Sequence, residues 1–402
     1  MNERVLIVGA GHAGATLAGL LRQAGHTGPV HVFSDEPDLP YHRPPLSKKF
    51  AEGELEHWLR PAEFYREQDI TLHLGEHVTA IRPAERLVRT DSGAAHGYDH
   101  LVLATGARPR PLPVPGSELA GVVCLRTLAD ARILRKCVEE RRRLVIIGGG
   151  YIGLEVAAVA RASDIEVTVV EREERVLARV ASAQLSEILA EHHRNRGTRI
   201  ITGAGVERLD GDGGQVCSVA LSDGSTLPCE AVLVGVGAIP RDELAATAGL
   251  RCAQGVIVDS NARTSDPRIL AIGDVTRRPL HTGSLARLES IPSATEQAKQ
   301  AVATILGTAP APAEVPWFWS DQFELKLKIA GLVPPDPGTV VRGDPATGRF
   351  ALFHHLGGAV TAVESANSPA EFMAGKKFIA AGARIDPVLL ADPAVPLRDV
   401  TL

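Results

Sequence analysis

Apolar residues in this chain gather in short runs, and most of the runs break into glycine-rich turns. Residues 4–8, 30–33, 100–103, 144–147, 166–170 and 231–234 are such runs, of the length expected for strands covered on both faces of a parallel sheet. Helical periodicity lies between them, over 14–23, 127–141 and from residue 152 onward, and again over 293–306, where the faces are small. Strand and helix in alternation predict an α/β architecture. Past residue 317 the pattern changes to alternating strands over 324–330, 339–342, 350–354 and 360–364, followed by two helical stretches. That part reads as an antiparallel α+β domain. The proline-rich 108–116 and the glycine-rich 235–240 read as crossings between domains, and 307–316 as a linker. The expected segments are 1–108, 109–237, 238–313 and 314–402.

Two of the strand-to-helix turns share one spacing. Gly9-x-Gly11-x-x-Gly14 follows the first run and Gly148-x-Gly150-x-x-Gly153 follows the run at 144–147. Glycine is needed where the chain turns tightly, where backbone meets a pyrophosphate and where helix packs on strand. The helix N-terminus then offers free N–H groups to the phosphates. One such fingerprint is weak, but two imply two dinucleotides, and the economical pair is a bound flavin with a nicotinamide donor.

Acidic residues follow at the expected distance. Asp35 and Glu36 end the second run and compete for a ribose, while Glu171 stands a little over ~20 residues beyond Gly148. Glu171 suits a free 2′-hydroxyl and would repel a 2′-phosphate by about 4 kcal/mol per charge pair at an effective dielectric of ~20, which favours NADH over NADPH. Arg172 and Arg175 come next and would soften that repulsion. The stretch Pro40-Tyr-His-Arg-Pro-Pro-Leu-Ser-Lys-Lys49 is stiffened by proline and presents Arg43 and Lys48 at fixed positions, or is a surface turn with solvated cations. Small residues at Ala104-Thr105-Gly106 allow close approach of backbone to a ligand, and Gly273-Asp274 ends a short strand with an acid suited to polyol hydroxyls.

Composition narrows the class. The 402 residues carry a net charge of −5 and a pI near 6.3, so neither nucleic acid nor an anionic membrane is expected as a partner. Five scattered cysteines, never in C-x-x-C, point to a reducing cytoplasm. No signal-peptide pattern precedes the first strand, and no apolar run is long enough to span a bilayer. The pairs His192-His193 and His354-His355 lack a third ligand at suitable spacing, so no metal site is expected.

Placed together, Pro44-Pro-Leu-Ser-Lys48, Ala104-Thr-Gly106, Gly148-Gly-Gly-Tyr-Ile-Gly-Leu-Glu155, Leu270-Ala-Ile-Gly-Asp-Val275 and Phe318-Trp-Ser-Asp-Gln322 occur in one characteristic order. Over its full length the chain resembles the FAD-dependent NADH:ferredoxin reductases of bacterial aromatic-ring dioxygenase and cytochrome P450 systems, kin of the putidaredoxin and rubredoxin reductases. The resemblance implies a glutathione reductase-like fold, with two Rossmann-type dinucleotide-binding domains and a C-terminal α+β domain closing over the flavin. In that scheme 1–108 and 238–313 form a split FAD domain, 109–237 is the NAD domain and 314–402 is the C-terminal domain.

By the same resemblance, Gly9, Gly11 and Gly14, flanking His12 and Ala13, cradle the FAD pyrophosphate. Arg43 and Lys48 lie against the flavin, Ala104, Thr105 and Gly106 line it, Gly273-Asp274 binds the ribityl chain and Trp319 faces the ring. Cofactor contacts are further expected from Arg126, Gly148, Gly150, Tyr151, Ile152, Gly153, Glu155, Glu171, Arg172, Arg179, Gly235, Val236 and Gly237. The segment Leu288-Glu-Ser-Ile-Pro-Ser-Ala294 departs from relatives that carry a tryptophan there.

Three residues are expected to carry the chemistry. Tyr151 swings aside for the nicotinamide, Lys48 stabilises reduced flavin, and Glu155 orients Lys48; a buried Lys–Glu pair that is merely structural is the competing reading. No cysteine stands in 37–50 or in the first fingerprint helix. Electrons are therefore expected to leave singly, and the resemblance implies that they go to an acidic [2Fe-2S] ferredoxin that feeds an oxygenase in aromatic hydrocarbon catabolism. Arg277, Arg278, Arg287, Lys326 and Lys328 are the candidate docking cations, with ordinary solvated cations as the competing reading. Rival functions are an NADH oxidase, a quinone or rubredoxin reductase and a redox-sensing dinucleotide-binding protein.

Overall fold

The computed structural model describes residues 2–140, 142–280, 283–310 and 312–402. Arg141, at the end of the helix expected over 127–141, lies outside the described residues. The chain divides into two compact units, the first made of Met1–His42, Glu56–Arg108 and Ala238–Glu314, the second of Arg43–Leu55, Pro109–Gly237 and Val315–Leu402.

The first unit is built on a parallel sheet with strands in the order Ile269–Ala271, His100–Leu103, Val5–Val8, Val30–Ser34 and Ile70–Leu74. All four residues of Val5–Val8 are buried, because both faces of the sheet are covered. Val5, Ile7, Val32 and Leu270 pack toward the helices His12–Gln23 and Ile291–Leu306. Leu6, Val8, Leu101 and Ala271 pack on the other side, against Val78, Ile81 and Val88. Those last residues belong to a three-stranded antiparallel sheet of Val78–Arg82, Leu87–Thr90 and Ala95–Gly97. Alanines 13 and 18 in the first helix and 294, 298 and 301 in the other share one core, so small faces allow close packing.

The second unit repeats the plan. Its parallel sheet runs Arg199–Ile201, Val167–Val170, Leu144–Ile147, Ala231–Val234 and Val122–Val123. A three-stranded sheet of Val206–Asp212, Gln215–Leu221 and Thr226–Pro228 covers one face through Leu209, Val216, Val219 and Leu227. The helix expected over 127–141 is Leu128–Glu139, and Thr127 with Asp130 forms a capping box at its start. Residues beyond 315 form a five-stranded antiparallel sheet in the order Trp317–Gln322, Leu325–Gly331, Ala359–Ala366, Arg349–Leu356 and Gly338–Asp344. The aromatic opening Trp317–Gln322 is thus itself a strand, one more than the alternation over 324–364 predicts. Among the described residues no helix is long and apolar enough to cross a membrane.

Candidate cofactor and redox site

Both fingerprints are built to one plan. Gly9 N–H donates to Phe33 O and Gly148 N–H to Val170 O, each at 2.8 Å. Gly9 and Gly148 have φ of 111° and 109°, which a side chain rarely tolerates. A Cβ at Gly9 would lie 2.2 Å from Ala104 O, and one at Gly148 would lie 2.4 Å from Gly235 O. Ala104-Thr105-Gly106 and Gly235-Val236-Gly237 are therefore the turns that close on the two fingerprints. Gly14 and Gly153 sit against the carbonyls of Gly9 and Gly148 by the same argument.

The middle glycines, Gly11 and Gly150, face open space, and each caps its helix without any side-chain hydrogen bond. The first N–H groups of His12–Gln23 and Tyr151–Ala162 are left for an anion, an arrangement that fits a pyrophosphate at each site. His12 and Tyr151 begin these two helices, and His12 Nδ1 and the Tyr151 hydroxyl are both buried without a hydrogen-bond partner. Burial pushes the His12 pKa down to about 4, so its ring is neutral. Ile152, the next residue, is half exposed. The first helix begins at His12 rather than at residue 14, because glycine at its N-cap hides the start from pattern reading.

The matched hydrogen bonds also align the acids. Phe33 corresponds to Val170, so Ser34 stands where the second unit has Glu171. Ser34 Oγ accepts from Glu36 N–H at 3.1 Å, and Glu171 Oε1 accepts from Glu173 N–H at 2.9 Å. Glu171 Oε2 also accepts from Gly149 N–H at 2.7 Å, which brings the carboxylate onto the fingerprint loop. In the first unit Asp35 pairs with Arg241 at 2.6 Å, an arginine that pattern reading missed, and Glu36 accepts from the Tyr41 hydroxyl at 2.5 Å. The Arg241 guanidinium holds the Asp35 carboxyl below the usual range against the opposing effect of burial.

Two arginines behind Glu171 are already engaged. Arg172 pairs with Glu173, while Arg175 Nη1 donates to Ala181 O and Ser186 Oγ and its Nη2 to Ala178 O. Arg179 comes close to Gly237. In the first unit Gly273 N–H donates to Gln297 Oε1 at 2.8 Å, and Gly273 abuts Ala13, which seats Asp274 beside the first fingerprint helix. Thr105 Oγ1 donates to Arg241 O at 2.7 Å.

Lys48 and Glu155 meet as the motifs suggested. Lys48 ends the short helix Pro45–Lys48, and its Nζ lies 2.6 Å from Glu155 Oε1, with side chains 13% and 4% exposed. Glu155 also accepts from Ser47 Oγ at 2.5 Å and from Ser320 Oγ at 2.6 Å. A buried carboxylate with three donors is fully satisfied. The two serines lie inside quoted motifs, but nothing in the sequence pairs them with a residue more than a hundred positions away. Tyr151 packs edge-on to Phe318, with ring centroids 4.9 Å apart. Burial, with Glu364 and Glu155 adding to it, raises the pKa of its phenol well above the usual value. Arg43 Nη1 donates to Arg126 O at 2.5 Å, which joins two more candidates. Trp319 lies on the opposite face of its strand from Ser320, and its ring is 5.9 Å from that of Trp317.

Other expectations meet different surroundings. Arg278 is not a surface cation: it is buried and paired with Glu296 at 2.6 Å, since a buried guanidinium needs a counter-charge. Arg277 donates to Ala253 O, Arg287 pairs with Glu289, Lys326 with Asp321, and Lys328 lies over the Phe372 ring. His193 bonds to Gln322 and His354 to Glu364. Among the described residues no cluster of histidine, cysteine and acid is placed to hold a metal ion. All five cysteines are free. Burial raises the thiols of Cys124, Cys137 and Cys252, and pushes that of Cys229 up to about 12.

Comparison with known proteins agrees with this construction. Residues 3–301 match the family model for pyridine nucleotide-disulphide oxidoreductases, and residues 317–401 match the Reductase C-terminal family. The chain is 45% identical over 401 residues to a Castellaniella defragrans protein named Probable ferredoxin reductase CtmF, covering 98% of each. It is 35% identical over 402 residues to the benzene 1,2-dioxygenase system ferredoxin–NAD(+) reductase subunit of Pseudomonas putida, covering 100% of this chain and 98% of that one. The covalent putidaredoxin reductase–putidaredoxin complex superposes with a TM-score of 0.96 at 40% identity, covering 99% of this chain and 98% of the other. The chain belongs to the pyridine nucleotide-disulphide oxidoreductase family, among the ferredoxin reductases that end in a Reductase C-terminal domain.

Proposed function

We propose that this chain is a cytoplasmic, FAD-dependent NADH:ferredoxin oxidoreductase whose electrons go to an acidic [2Fe-2S] ferredoxin serving an oxygenase. The observation that carries the reading is the buried Lys48–Glu155 pair, formed between the proline-stiffened 43–49 stretch and the second fingerprint helix. Bound flavin supplies the chemistry: it accepts a hydride and gives up electrons one at a time.

The chain's own residues bind, orient and exclude. Segments 1–108 and 238–313 hold FAD through the first fingerprint, Thr105 and Asp274, and 109–237 holds NADH through the second fingerprint and Glu171. Lys48 provides positive charge where negative charge develops on the ring. Glu155 keeps that ammonium in one place, and the Tyr151 ring keeps water from the nicotinamide position until it turns aside. Segment 314–402 contributes Trp319 against the flavin.

A thiol relay has little support, because four of the five cysteines are held as neutral thiols by burial. The docking cations we assign are Arg277 and Arg287 in the first unit and Lys326 and Lys328 in the second, each pair suited to weak, charge-steered redox encounters. Anaerobic titration tests the assignment. One equivalent of NADH should bleach the flavin absorbance, with NADPH far slower, and added ferredoxin should restore the colour. A chain that takes up no FAD, or whose flavin ignores NADH, would refute it.

A further inference from the structure

The buried face of the strand Trp317–Gln322 carries a row of hydrogen bonds that the function above leaves unused. Alternation along the strand puts Ser320 and Gln322 on one side, both buried, and Trp319 and Asp321 on the other. Ser320 Oγ lies 2.6 Å from Glu155 Oε1. Gln322 Nε2 is 3.2 Å from Ser320 Oγ, and Gln322 Oε1 is 3.0 Å from His193 Nε2. His193 Nδ1 ends the row, 3.5 Å from Thr198 Oγ1. Gln322 and His193 are both fully buried, so solvent competes for neither.

The chemistry of the groups gives this row a direction. A carboxylate gripped by an ammonium only accepts, so the Ser320 hydroxyl donates to Glu155. The Ser320 oxygen then accepts from the Gln322 amide, which turns the Gln322 carbonyl toward His193. Burial pushes the His193 pKa down to about 4, so the ring is neutral and carries one proton. That proton must sit on Nε2, and Nδ1 accepts from the Thr198 hydroxyl. Only one other arrangement satisfies every group between Ser320 and Thr198. In it the proton moves to Nδ1, the amide turns over and Ser320 donates to Gln322 instead. Glu155 would then keep Lys48 and Ser47 and lose its third donor. Each end of such a row biases the other.

We propose that Gln322 and His193 are positioning residues which, through Ser320, hold Glu155 in the orientation that grips Lys48. The proposal rests on the reading that the Lys48–Glu155 pair serves flavin reduction. It adds residues 129 positions apart in sequence to that site.

Nitrogen-15 NMR of the histidine-labelled, FAD-loaded protein, without NADH, reads the row directly. The His193 resonances, identified by their loss in His193→Asn, should report Nε2–H in the native protein and Nδ1–H in Gln322→Leu. Stopped-flow reduction by NADH gives the second readout. Ser320→Ala should lower the limiting rate about tenfold, the cost of one lost charge-assisted hydrogen bond, and Gln322→Leu about threefold, the cost of the neutral bond that holds the Ser320 hydroxyl, while NADH half-saturation stays within about twofold. The double variant should lose no more than Ser320→Ala alone. An Nδ1–H tautomer in the native protein would overturn the proposal, as would a native limiting rate in Gln322→Leu or losses that multiply. If the variants do not fold, the native tautomer alone decides. Should NADH fail to reduce the native flavin, the function falls, while the tautomer still reports on the row.

Discussion

At the scale of single residues, the account turns on a few buried polar atoms and whether each has a partner. Lys48 has Glu155, so removing its charge leaves a buried carboxylate short of its ammonium and, on the proposed function, the flavin short of a cation. Lys48→Met should slow flavin reduction by NADH at saturation by about 10- to 100-fold, the equivalent of roughly 1.5–3 kcal/mol for a charged hydrogen bond, as measured by stopped-flow bleaching. Tyr151 is the opposite case, a buried hydroxyl with no partner. Tyr151→Phe removes that desolvated group and should raise the stability of the ligand-free chain by about 1 kcal/mol in urea denaturation. Lys48, Glu155 and Tyr151 were legible as residues, since each sits in a motif of fixed spacing. Ser320 and Gln322 were legible only as part of the Phe318–Gln322 string. Their partners Glu155 and His193 lie 165 and 129 positions away, and no local pattern encodes such a pairing. Arg278 misled for the same reason, because its counter-charge Glu296 comes from another element.

At the scale of elements, the two fingerprint units share one plan and differ at the acid that follows the second strand. Glu171 is held on its loop by two backbone N–H groups, and Arg175 spends its guanidinium on Ala178, Ala181 and Ser186. Arg175 is thereby committed, while Arg172 is exposed and its one partner among the described residues is Glu173. Glu171→Ala should therefore raise the half-saturation for NADH about tenfold or more, as loss of a charged hydrogen-bond acceptor implies, without making NADPH a good donor. Steady-state assays with both nucleotides check this. The parallel sheets were legible because strands buried on both faces write themselves as continuous apolar runs. The three-stranded sheets over 78–97 and 206–228 leave no such pattern. Bulges between Val78 and Ala80 and between Asp210 and Gly211 break their alternation, and their strands are short.

For the whole molecule, buried histidines set a pH signature. His193 is neutral in the folded chain, with a pKa of about 4 against an ordinary 6.5, and His12 behaves alike. The unfolded chain therefore binds more protons between those values. Stability should rise as pH climbs from about 4 to 6.5 and change little from these groups above or below, by roughly 3 kcal/mol for a fully buried ring. Denaturation midpoints across that window measure it, and His193→Asn should flatten the slope.

The central claim is that NADH electrons reach a ferredoxin through flavin alone, with no sulfur relay. Its most direct test is a double-mixing experiment on enzyme whose accessible thiols have been alkylated. One equivalent of NADH is added anaerobically, then excess [2Fe-2S] ferredoxin. The account predicts about two ferredoxins reduced per NADH, at the rate of unmodified enzyme, since a hydride carries two electrons. Ferredoxin left oxidised while the flavin stays bleached, or reduction abolished by alkylation, would contradict it.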